Sequence, residues 1–384
     1  MVLKIAKRGR IPSFIVMDIM NKSNELQQLG QDILHLEVGQ PGTGAPSKVV
    51  EAVVREMKRD KLGYTPAFGR QELREKIAHH YKSFYDYEVG PERIAITSGS
   101  SGAFILAFLS AFDTGDTVAM ASPCYPAYRN ILKSLGVKVV EVQTTLETNF
   151  QLTAEILEKV RRDNVSLDGL IIASPSNPTG TMLNQDELKS ISRYCSKFGI
   201  RLISDEIYHG ITYTFTEETA IKFNGDAIVI NSFSKFFSMT GWRLGWMVMP
   251  QKLIRATECL AQNLFISPPA VSQVAGLAAL DCKNEFKQNV AIYKMNRDIL
   301  LSELPKMGFS KNTRSDGAFY VYTNVEDFTH DSSDFCNKIL KQTGIALTPG
   351  IDFDPIRGHS YIRLSFSGPT SEINEAVKRL KNWL

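Results

Sequence analysis

The chain has 384 residues, 43% apolar and 22% charged, which is material for a large core and by default two domains. Its net charge of +3, from 44 basic and 41 acidic residues scattered along the chain, speaks against a nucleic-acid or membrane surface. The five cysteines, Cys124, Cys195, Cys259, Cys282 and Cys336, are odd in number and widely spaced, arguing for free thiols in a reducing compartment and against a zinc site; without a signal-peptide core or a run of about twenty apolar residues, the expectation is a cytoplasmic protein.

An N-terminal arm leads into a helix expected over 15–29, where apolar residues recur at helical spacing. A short strand, Ile33 to Val38, runs into the turn Gly39-Gln40-Pro41-Gly42, whose backbone N–H groups are exposed. Helices follow over 46–60 and 71–85, separated by the loop Gly63-Tyr64-Thr65-Pro66. The strand Ile94 to Thr97 meets Ser98-Gly99-Ser100-Ser101-Gly102 and then a helical run to Phe112. A glycine and serine turn opening a helix presents unpaired N–H groups and the positive end of the helix dipole to an anion, although serine there is also a common N-cap.

Further strands are expected over 117–121, 137–142 and 170–173, with a helix over 153–162. Tyr125 lies just past the first of these, where an aromatic can lie flat on a planar ring. The rigid turn Ser174-Pro175-Ser176-Asn177-Pro178 precedes a helix over 185–197 and a strand over 200–204, which ends in Asp205-Glu206-Ile207-Tyr208. Side chains alternate along a strand, so only one of the two acids faces a cleft. The alternation of strands and helices from about 90 to 250 is that of a mostly parallel sheet covered on both faces.

The next apolar run, Ala227 to Ile230, has the length and branching of a buried strand. Directly after it comes SFSKFFSMTGWRLGW, residues 232–246. Ligand sites of open α/β sheets collect beyond strand ends, so Lys235 there points into a cleft. Arg243, flanked by Gly241 and Gly245, offers a planar fork to phosphate oxygens and glycines that admit close backbone approach. Ser232, Ser234, Lys235, Ser238, Gly241, Arg243 and Gly245 at these spacings resemble the lysine signature of the class I/II aminotransferases. Those are fold-type I enzymes dependent on pyridoxal 5'-phosphate.

The resemblance implies that Lys235 holds the cofactor as a Schiff base, with Ser232 and Arg243 on its phosphate. At pH 7 a free lysine amine costs about 4–5 kcal/mol, which such storage avoids. It also implies that Gly99, Ser100 and Ser101 form the phosphate loop and that Tyr125 stacks on the ring. Asn177 and Tyr208 then hold the phenolic oxygen, and Asp205 keeps the pyridine nitrogen protonated. Tyr64 reaches across a homodimer interface to the neighbour's phosphate, and Gly39 lets the substrate carboxylate meet the main chain.

Helices are expected over 253–264, 271–280 and 287–304, the last leading to an α+β domain with strands near 317–322, 345–350 and 361–366. Arg363 sits in an otherwise apolar strand, where an unpaired charge costs several kcal/mol and calls for an anionic partner. By resemblance that partner is the substrate α-carboxylate. The expected architecture is a large domain over 46–285 with a seven-stranded, mostly parallel sheet flanked by helices. A smaller α+β domain is built from part of 1–45 and from 286–384.

The implied reaction is ping-pong transfer of an amino group between an L-amino acid and a 2-oxo acid, 2-oxoglutarate or pyruvate. Dicarboxylate specificity needs a second cation, and Ser101-Gly102 stands where some aspartate-active relatives place a lysine. A lyase or cyclising enzyme would need the same Lys, Asp and Arg. A cofactor-sensing regulator would need a DNA-binding module ahead of a matching region that begins near residue 12.

Overall fold

A computed structural model describes residues 3–163 and 165–384, so the first two residues of the expected arm lie outside it. In chain order the principal elements are α1 (Ile15–Gln28), β1 (Leu34–His35), α2 (Ser47–Met57), α3 (Gln71–Tyr85), β2 (Ile94–Thr97) and α4 (Gly99–Ala111). Next come β3 (Thr117–Ser122), α5 (Pro126–Ser134), β4 (Lys138–Gln143), α6 (Ala154–Arg162), β5 (Gly169–Ala173), α7 (Gln185–Phe198), β6 (Arg201–Asp205), β7 (Ile228–Ser232) and β8 (Gly245–Val248). The chain continues with α8 (Ile254–Leu264), α9 (Ala270–Ala279), α10 (Lys283–Glu303), β9 (Tyr320–Asn324), α11 (Ser332–Thr343), β10 (Ile345–Ala346), β11 (Thr348–Pro349), β12 (Tyr361–Ser365) and α12 (Thr370–Trp383).

Seven strands form the central sheet in the order β2-β8-β7-β6-β5-β3-β4. Only β8 runs against its neighbours, pairing antiparallel with both β2 and β7. Every residue of β2, β7 and β8 is buried, because helices cover both faces and a parallel strand is then apolar on each side. Local signals set the covering helices. At the start of α7 the Asn184 side chain accepts from the Asp186 and Glu187 N–H groups while Glu187 reaches back to the Asn184 N–H, and Gly199 ends the helix at φ +67°.

A second core gathers Leu34, Leu36, Tyr293, Phe319, Tyr320, Leu347 and Leu364 around an antiparallel sheet, β11-β12-β9, and the parallel pair β1-β10. The N-terminal segment thus folds with the C-terminal third. Helix α10 spans the two cores, with Phe286 in the large-sheet core and Tyr293 and Leu300 in the other. The expected boundary at 285 falls in its first turn.

The structure differs from the sequence reading in several places. The strand expected over 33–38 pairs only at Leu34 and His35, because the Glu37 carbonyl is taken by the Arg363 guanidinium and the Thr348 hydroxyl rather than by a ladder. Helix α4 begins at Gly99 rather than after the serine turn. Helices α5, α11 and α12 and strand β8 have no counterpart in that reading. Gly245 does admit close backbone approach, but of the chain's own 99–100 segment: a Cβ there would lie 2.9 Å from the Ser100 nitrogen.

Candidate active site

The C-terminal ends of β2, β3, β5, β6 and β7 open on one side, and a cavity of about 310 Å³ lies beyond them, where open α/β sheets bind ligands. Lys235, Asp205, Tyr208, Asn177, Tyr125, Ser100, Ser101, Arg243, Gly39 and Arg363 all line it. Lys235 stands three residues past β7, and its ammonium donates to the Gly39 carbonyl at 2.6 Å. Its pKa is lowered to about 8, first by loss of water and then by the Arg363 and Arg243 charges, with Asp205 opposing.

Asp205 is the last residue of β6, almost wholly buried. Its carboxyl accepts from the Tyr128 hydroxyl and from the Ile207 N–H at 3.1 Å. Burial nevertheless raises its pKa to about 6 against those two bonds. Neither partner is a cation, and among the described residues no Lys, Arg or His lies within ion-pair distance of it. Glu206 points to the other face, where it accepts from the Ser204 hydroxyl at 3.0 Å and the Ala220 N–H at 2.9 Å.

Behind this floor His209 ties two loops together. Its Nε2 lies 2.9 Å from the Ser174 carbonyl, which can only accept, so Nε2 carries the proton. Its Nδ1 lies 2.7 Å from the Tyr85 hydroxyl. The Asp205–Tyr208 segment and the Ser174–Asn177 turn are thereby held in one relation to each other. Tyr208 in turn shares a 2.7 Å hydroxyl contact with Tyr320.

Arg363, 2% exposed, comes from the middle of β12. Its fork donates to Asn177 Oδ1 at 2.7 Å, to Thr348 Oγ1 at 3.2 Å and to the Glu37 carbonyl. The guanidinium lies 4.4 Å from the Tyr320 ring centre and 4.8 Å from that of Phe353. Among the described residues no carboxylate pairs with it, and its Nε finds no partner there. A buried charge held only by neutral groups is costly until an anion arrives.

Arg243, in the left-handed region at φ +52°, spends one N–H on the Thr240 carbonyl at 3.0 Å and is otherwise exposed. Gly99, at φ +69°, sits against it: a Cβ there would lie 2.5 Å from the Arg243 Nη2. This brings the first turn of α4, with Ser100 and Ser101, beside the guanidinium. Ser232 does not line the cavity as expected. Its hydroxyl stands one layer back, 2.9 Å from Ser234 Oγ and 3.2 Å from the Leu244 carbonyl, and Ser234 lines the cavity in its place. Tyr64 is 86% exposed and away from this cavity.

Sequence reasoning missed Tyr128, Tyr320 and His209, and also Phe14, Val16, Met17 and Met20, which bring α1 against the cavity. For the last group the helical spacing was visible, but nothing in the sequence says what α1 covers.

Residues 31–380 match the family model for aminotransferase class I and II. A valine–pyruvate aminotransferase of Mycobacterium tuberculosis is 46% identical over 99% of this chain and 98% of its own length. The crystal structure of an aminotransferase from the same organism superposes with a TM-score of 0.97 at 45% identity, covering 100% of this chain and 99% of that one. An aspartate aminotransferase from Thermus thermophilus, solved with maleate, superposes at 0.93 and 28% identity over the whole of both chains. The chain therefore belongs to the class I and II aminotransferases, a family whose members use pyridoxal 5'-phosphate.

Proposed function

We propose that this aminotransferase moves an amino group between an L-amino acid and a 2-oxo acid in two half-reactions on one site, with pyridoxal 5'-phosphate held at Lys235. The observation that carries the reading is the convergence of a lysine of lowered pKa, a buried acid without a cation and a buried arginine without an anion on one cavity. Each deficit matches a part of the cofactor or substrate. Asp205 suits the protonated pyridine nitrogen, Arg363 the α-carboxylate, and Arg243 with the first turn of α4 the phosphate.

When bound, the cofactor supplies an electron sink for the pair left as the Cα–H bond breaks. The chain's own residues do the rest. Arg363 fixes the substrate by its carboxylate, and Asn177, whose Oδ1 is occupied by Arg363, has its amide N–H groups left to donate to the phenolic oxygen alongside Tyr208. Lys235, once its amine is free, would take the proton from Cα onto Nζ and give it up to the carbon that comes to bear the amino group. Without cofactor its pKa is already lowered to about 8, so that an appreciable fraction of the amine is unprotonated near neutrality. Tyr125, which lines the cavity, would stack on the ring, and the Gly39 carbonyl accepts from Lys235.

Two copies are proposed to complete the assembly, the exposed Tyr64 of each reaching its partner's phosphate. Residues 1–45 with 286–384 are taken as the smaller domain and 46–285 as the larger. The similarity to a valine–pyruvate aminotransferase supports pyruvate as one 2-oxo acid. A cytoplasmic location is kept as part of the proposal; no helix among the described residues is long and apolar enough to cross a membrane.

The test is a half-reaction. Loaded protein mixed with an amino acid alone should lose the aldehyde absorbance, gain that of the amine form and release one 2-oxo acid per site. Continuous release of ammonia without that conversion would instead favour a lyase.

A further inference from the structure

We infer that the side chain handled by this site is uncharged and apolar, and that the 2-oxo acid accepting the amino group is a monocarboxylate of the pyruvate class. The inference rests on the aminotransferase reading and names the substrates within it.

It begins with the placement of α1. The first two N–H groups of that helix, from Ile15 and Val16, each lie 3.3 Å from the Asp352 carboxylate, which caps the helix from 336 residues away in sequence. The next residue, Phe353, lays its ring 4.8 Å from the Arg363 guanidinium. One short segment therefore fixes both the carboxylate anchor and the helix. Phe14 adds a second tie, edge-on to Tyr125 at 5.5 Å between ring centres.

So pinned, α1 presents Phe14, Val16, Met17 and Met20 to the cavity, where Val38 and Ile207 also lie. A substrate with its carboxylate on Arg363 and its amino group at Lys235 has its remaining substituent at this apolar wall. Among the described residues of this chain the cations lining the cavity are Lys235, Arg243 and Arg363, and each already has a task. A second carboxylate would stand unpaired against aliphatic and thioether groups, which is costly, whereas a hydrocarbon side chain is buried favourably. Methionine side chains adjust to different shapes, so the wall accepts a range of apolar side chains rather than one. The cavity, about 310 Å³, is at the small end for a ligand site and must hold cofactor and substrate together, which favours compact aliphatic groups. Both half-reactions use the same wall, so the restriction applies to acceptor as well as donor.

The experiment uses the cofactor-loaded enzyme and follows conversion of the aldehyde form with alanine, valine, leucine, aspartate and glutamate in turn. The neutral donors should exceed aspartate by roughly 100-fold or more in second-order rate constant. In the reverse direction pyruvate should exceed 2-oxoglutarate. A binding measurement needs no turnover: isovalerate should perturb the cofactor absorbance at lower concentration than maleate. Preference for aspartate, glutamate, 2-oxoglutarate or maleate, including by way of a cation from a partner copy, overturns the inference while leaving the aminotransferase reading intact. Failure of every donor overturns that reading and this one with it. Met20→Arg, on a partly exposed position of α1, should shift the aspartate-to-valine ratio towards aspartate by about tenfold. An unchanged ratio in a folded, cofactor-binding variant would show that α1 is not the side-chain wall.

Discussion

The floor and the roof of the cavity are built on opposite plans. The floor is made of strand ends: Asp205 closes β6, Lys235 follows β7, and His209 and Tyr85 lock the loops behind them. The roof is a single peripheral helix, with Met17 43% exposed, held at its first turn by one carboxylate. Groups that touch the reacting atoms need fixed positions, which a buried sheet supplies. A wall that only selects side chains tolerates looser support.

That contrast ranks the consequences of substitution. Lys235→Ala removes the proton carrier, and turnover should fall by roughly 10³-fold or more, measured as amino-group transfer per cofactor bound. Turnover near wild type would break the assignment of the floor. Arg363→Ala should raise the KM for the amino acid by roughly 100-fold, the scale of losing a buried charge-assisted contact. Cofactor binding, measured by absorbance titration, should change far less. An equal loss in both would mean that Arg363 holds the site together rather than the substrate.

Asp205 sharpens the picture through pH. Its folded pKa of about 6 lies above the ordinary 3.8, so without cofactor the folded state favours the protonated acid. The resulting stabilisation is complete below about pH 4 and is lost as pH rises through 6; a rise from 3.8 to about 6 is worth on the order of 3 kcal/mol. Cofactor-free wild type should therefore lose stability between pH 4 and 7 relative to Asp205→Asn in denaturant melts. Parallel pH profiles would contradict an acid buried without a cation.

The smallest effect belongs to the roof. Asp352→Asn removes the charge that caps α1 and should cost about 1 kcal/mol. KM for an apolar amino acid should rise only a few-fold with kcat nearly unchanged. A large fall in kcat would mean that α1 acts on the chemistry and would erase the distinction between floor and roof.

The same division separates what was legible in the sequence from what was not. Lys235, Asp205, Asn177 and Arg243 lie in short contiguous motifs at strand ends, where one backbone turn decides which way a side chain points. The sequence also shows Arg363 as a lone cation in an apolar strand. Tyr128 was hidden because α5 is only nine residues long and opens directly after the aromatic read as a stacking group. Ser232 and Ser234 both precede Lys235, and the Ser232 hydroxyl is held one layer back by its contacts to Ser234 Oγ and to the Leu244 carbonyl, contacts that the spacing alone does not show. The roof depends on Asp352 meeting the first turn of α1 from the far end of the chain, a contact that no local pattern encodes. The Tyr85–His209–Ser174 link is long-range in the same way.

The most direct test is reductive trapping. The protein loaded with pyridoxal 5'-phosphate is treated with borohydride and digested, and the labelled peptide is identified by mass. The account predicts one label per chain, on Lys235, and none in Lys235→Ala. A label on another lysine, or a protein that takes up no aldehyde while folded, would contradict it.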